Sequence, residues 1–102
     1  MYYESMAKKS ASPRNWTFLS NHGHVLVYLS RNTECLVKDI AVAVGITERS
    51  AQMILADLED SGYITTTRVG RRNIYALNSR MKFRHPAEAN KPISALLNIF
   101  AR

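Results

Sequence analysis

Cys35 is the only cysteine in 102 residues, so no internal disulfide can form. A closed tetrahedral metal site is equally short of ligands, because His22, His24 and His85 add no CxxC and no acid-rich pair. No apolar run approaches the roughly 18 residues needed to cross a bilayer. The four glycines form no phosphate-cradling motif, and there is neither a nucleophile elbow nor a pair of carboxylates in an apolar setting. The expectation is a non-enzyme with no cofactor and no metal. The opening stretch "MYYESMAKKSASPR" lacks the apolar core of a secretion signal, which together with the lone thiol suits a cytoplasmic protein.

What is present is apolar content of 46%, enough for one hydrophobic core at this length, and a net charge of +6. The charge is unevenly placed. Half of the 14 lysines and arginines lie between Tyr63 and Lys91, with Glu88 the only acid among them, whereas most of the 8 acids precede Gly62. A basic stripe of this kind attracts a polyanion by releasing its counterions.

The chain divides by pattern into a polar, basic arm (residues 1–15), a patterned domain (16–78) and a basic loop with a last helix (79–102). In "SNHGHVLVYLSRN" the residues Val25, Leu26, Tyr28 and Leu29 recur at helical spacing, with Ser20 or Asn21 as N-cap. "ECLV" is a short extended connection. A helix over 38–44 presents Ile40, Ala41 and Val44 to one side, and Gly45 ends it in the left-handed conformation. Thr47 then caps a longer helix running to about Ser61, whose buried stripe is Ala51, Ile54, Leu55 and Leu58. "YITTTRVGRRNIYAL" is a hairpin with a two-residue loop at Gly70 and Arg71, in a type II′ geometry that pairs Ile64 with Leu77 and Thr66 with Tyr75. Pro92 is placed as the first residue of a final helix, apolar at Ile93, Leu96, Leu97, Ile99 and Phe100.

Two helices joined by a short glycine-containing turn, followed directly by a hairpin, predict an α+β, mainly α fold: a winged helix-turn-helix with a three-helix core, a β-hairpin wing and an additional C-terminal helix. "DIAVAVGITERSAQMILADLEDSGYI" followed by "TRVGRRNIYAL" resembles the bacterial and archaeal winged helix-turn-helix regulators of the broad MarR/ArsR type. The resemblance implies selective binding of double-stranded DNA, usually as a homodimer on a near-palindromic site, and Arg49, Gln52 and Met53 stand where that family reads bases. Ala51 departs from the pattern, since a larger β-branched residue is commoner there.

Side-chain chemistry points the same way. With the apolar stripe inward, Glu48, Arg49, Gln52 and Met53 face out from the N-terminal half of the helix. Arginine bonds guanine bidentately, glutamine bonds adenine, and methionine can touch a thymine methyl. Thr47 and Ser50 suit phosphate contact or capping. Arg68, Arg71, Arg72 and Asn73 crowd the hairpin tip, where negative potential of a minor groove or backbone would relieve their mutual repulsion. The final helix is apolar over too wide an arc for one face, so Trp16, Phe18, Ile93, Leu96, Leu97 and Phe100 are candidates for a dimer interface. The rival reading is a winged-helix protein-docking module that binds no DNA. Single-strand or RNA binding is disfavoured, as Tyr63 and Tyr75 are the only stacking faces on the sheet and Tyr75 points inward. No small-molecule effector can be read from the sequence.

Overall fold

The structure is a computed structural model that describes residues 15–101. The arm expected over 1–15 lies, apart from Asn15, outside the described residues. Four helices and three strands follow in the order α1 (Asn21–Arg31), β1 (Glu34–Cys35), α2 (Val37–Val44), α3 (Glu48–Asp60), β2 (Ile64–Val69), β3 (Arg72–Leu77) and α4 (Ser94–Ile99). The fold is the winged helix that the residue pattern predicts.

Each boundary has a local cause. Ser20 caps α1 by accepting from the Gly23 amide at 3.3 Å. The Leu36 amide, at the start of α2, donates to the Asp39 carboxylate at 3.0 Å, so an acid in the first turn also meets the positive end of the helix dipole. Gly45 stops α2 at φ 82°, in the left-handed region, and its amide returns to the Ala41 carbonyl at 2.8 Å. A two-residue step then leads to Thr47 and α3.

The apolar stripe of α3, Ala51, Ile54, Leu55 and Leu58, packs into one core with Val25, Leu26 and Leu29 of α1 and with Ile40 and Ala41 of α2. Ile64 and Tyr75 close that core from the sheet. The small side chains of Ala41 and Ala51 are both buried where the two helices of the motif meet. The sheet order is β1-β3-β2, all antiparallel, with β3 in the middle. Ile64 pairs with Leu77 and Thr66 with Tyr75, the register read from the alternation. Gly70 has φ 62°, which the first residue of a two-residue hairpin loop requires and which a side chain there would resist.

Two expectations are corrected. Pro92 does not begin the last helix; it faces Lys82 in an isolated antiparallel bridge, and α4 starts only at Ser94. The bridge is closed by the Phe83 amide on the Lys91 carbonyl and the Ile93 amide on the Met81 carbonyl, so Pro92 itself needs no N–H. Tyr63, expected to offer a stacking face, is buried, and its hydroxyl donates to the Lys82 carbonyl. Both contacts fasten the segment after the wing onto the core.

Candidate nucleic-acid interface

The N-terminus of α3 is built by two hydroxyls. Thr47 Oγ1 accepts from the Ser50 amide and donates to Ser50 Oγ, both at 3.0 Å. This closed pair holds the first turn and directs the next residues outward. Glu48, Arg49, Gln52 and Met53 are all exposed, Met53 at 63%. An apolar side chain so exposed between Gln52 and the buried Ile54 is placed for contact with something other than the core. Replacing Thr47 by alanine should cost about 1 kcal/mol of stability, read as a lowered melting temperature, with serine restoring most of it. An alanine variant that melts with the parent would show that the cap contributes nothing.

The wing, β2 and β3, follows α3 directly in the chain. Arg68, Arg71 and Arg72 are exposed, and Arg68 Nε donates to the Gly70 carbonyl at 3.1 Å, which holds the guanidinium at the turn. Among the described residues the acid–base contacts are His22–Asp57 at 2.8 Å and His85–Glu88 at 3.7 Å, so no carboxylate neutralises Arg49 or the three wing arginines. Asn73 differs from its expected position at the tip. It is half-buried, pairs with Cys35 and Arg68, and its amide donates to the Tyr75 hydroxyl at 3.1 Å. Register explains this, because Asn73 falls on the inward side of the pleat, where its polar atoms find a protein partner.

The basic stripe of the sequence splits in space. Arg84 Nη1 donates to Ser61 Oγ at 2.5 Å, so the 80–91 loop begins its path at the C-terminal end of α3. The strand β2 starts at that end and carries the arginine tip about 20 Å away at strand rise. The two clusters therefore do not form one surface. His22 also reaches this end of α3, through Asp57. These links were invisible in sequence because 35 and 23 positions separate the partners.

Of the residues assigned to a subunit interface, Trp16 is 66% exposed and Phe18 is 94% exposed, their rings stacked edge to face at 5.3 Å. Phe100 is also exposed and Leu96 half-buried, whereas Ile93 and Leu97 are buried inside the protomer's own core. The wide apolar arc of α4 thus divides: Ile93 and Leu97 finish the monomer, and only the rest of the arc is available to another chain. Phe18 and Leu96 border a cleft of about 630 Å³ between α1, the end of α3 and the segment before α4.

Cys35 is buried, and burial first, then the Asp39 carboxylate, push its thiol up, with Arg72 acting in the opposite sense. It serves as a small hydrophobic side chain under the sheet. His24 meets Thr17 at 3.1 Å. No group of three His, Cys, Asp or Glu that could hold a metal ion occurs among the described residues. None of their helices is long and apolar enough to span a membrane.

A sequence model of the MarR family matches residues 17–72, more than half of the chain. Among solved structures the chain is similar to MepR, a transcription regulator of the Staphylococcus aureus multidrug efflux pump MepA, at 24% identity and a TM-score of 0.54. The match covers 78% of this chain and 56% of that one, so this chain spans little more than half the length of MepR. At that identity the likeness speaks to the fold alone. No curated protein matches the chain. Its capped second helix, glycine-turned first helix, three-stranded sheet and family match agree: the chain belongs to the MarR family of winged-helix transcription regulators.

Proposed function

We propose that the chain binds duplex DNA selectively as a homodimer, with α3 entering the major groove end-first and the wing lying on the adjacent minor groove or backbone. Glu48, Arg49, Gln52 and Met53 read base edges, while Thr47, Ser50, Arg68, Arg71 and Arg72 contact the backbone or the minor groove. The observation that carries this reading is the exposed start of α3 together with an exposed cationic tip, neither of which has a carboxylate within ion-pair distance among the described residues. A helix of 13 residues is near 20 Å long at 1.5 Å per residue, which fits the major groove when presented by its N-terminal turn. Asp57, Glu59 and Asp60 stand at its far end, clear of phosphates. The Trp16, Phe18, Leu96 and Phe100 surface supports twofold pairing, because half-sites one turn apart, about 34 Å, reward a symmetric dimer.

Selection of bound sequences from a random duplex library is the direct test. It should return a near-palindromic site bound at least about three decades more tightly than random duplex, for which Kd near 10⁻⁴–10⁻⁶ M is expected at physiological salt. Replacing Arg71 and Arg72 by alanine should reduce the slope of log K against log salt by about one to two. An unchanged slope would remove the wing from the interface, and salt-independent or absent binding would favour a protein-docking role for the domain.

A further inference from the structure

The arginines of the wing do not share one face. Val69 pairs with Arg72 and Arg68 with Asn73, so pleating sends Arg72 to the outer face with Ile74 and Arg68 to the inner face with Asn73 and Tyr75. Arg71 occupies the loop itself, at the apex. Given the DNA-binding mode proposed above, on which this inference rests, the geometry points to a wing that straddles the minor groove, Arg68 holding phosphates of one strand, Arg72 those of the other, and Arg71 alone entering the groove.

The dimensions force the division. The minor groove of B-DNA is about 6 Å wide, while the two strands of a hairpin already stand about 4.8 Å apart before side chains are added. The hairpin cannot enter as a body; a single side chain at its apex can. With the hairpin poised over the groove, its two faces look toward the two phosphate walls, and a long side chain on each face reaches only the wall it faces. Arg68 is prepared for this, because its Nε is engaged by the Gly70 carbonyl and its two terminal nitrogens are left for a phosphate. The two faces also differ in charge further from the tip. Glu34 pairs with Ile74 and so lies on the Arg72 face, whereas the paired strand residues of the Arg68 face, Ile64, Thr66, Asn73, Tyr75 and Leu77, include no acid. Phosphate contact on the Arg72 side is therefore confined to the tip.

The duplex recovered by selection supplies the test. Single methylphosphonates, which remove one phosphate charge at a time, are placed along each strand where the wing falls, and affinity is measured for the parent chain, Arg68→Ala and Arg72→Ala. Both arginines are exposed, and unaltered melting of the variants checks that folding is preserved. The parent should lose about three- to tenfold for a sensitive position on either strand. Arg68→Ala should lose that sensitivity on one strand only, and Arg72→Ala on the opposite strand only. Loss on the same strand in both variants, or on neither, overturns the straddling wing while leaving groove binding by α3 standing. Failure to recover any duplex would overturn the parent reading and this one with it.

Discussion

Replacing Arg49 and Gln52 together by alanine should all but abolish discrimination between a selected site and random duplex. Each side chain is exposed on the first two turns of α3, and a bidentate contact to a base is worth about 1–3 kcal/mol against the wrong base. Two such contacts amount to about 2–6 kcal/mol, between about thirtyfold and about 25,000-fold in affinity for the selected site. Binding to random duplex should fall by far less, since only one of the pair is charged and the wing arginines are intact. Anisotropy titrations on both duplexes separate the cases. A parallel loss on selected and random DNA would mean that Arg49 contacts phosphate and that bases are read elsewhere.

The second large effect concerns the core. Leu29 is 0% exposed near the end of α1, the helix that packs on α2, α3 and β3 together. Leu29→Ala should cost about 3 kcal/mol, the transfer energy of the lost atoms plus that of the cavity they leave. In a domain of this size that lowers the melting temperature by about 12–24 °C. Val42→Ala provides the contrast: this apolar side chain on α2 is 74% exposed, and its loss should change stability by no more than about 0.5 kcal/mol. Equal melting of the two variants would be incompatible with the packing described.

Most of the fold was legible in the sequence because its signals are local. Gly45, Thr47 and Gly70 act through their own backbone or the next turn, and the stripe on α3 recurs at a period that only a helix satisfies. The hairpin register followed from alternation and loop length, which fix it without reference to the rest of the chain. The exposed surface of α3 was legible for the same reason, as the complement of its buried stripe. The segment after the wing was not. Pro92 satisfies the rule for a helix start and equally the rule for a bridge position without a ladder hydrogen bond, and the choice was made by Met81 and Phe83 across the bridge. The identity of the α4 residues that finish the monomer also depended on distant packing, which buried Ile93 and Leu97 and left Ile99 and Phe100 out. Asn73 was misplaced because proximity to the tip in sequence is not proximity in space once the pleat turns every second side chain inward.

The central position of β3 has a bearing on what kind of target the protein tolerates. A hairpin hanging by two strands alone could swivel, and could then accommodate several distances between the two grooves that α3 and the tip are proposed to meet. Here β1, sewn between α1 and α2, clamps β3 from its free side. In the proposed binding mode the helix and the tip would act as a single caliper, and the interval measured along a duplex would be set by the protein rather than negotiated with each sequence.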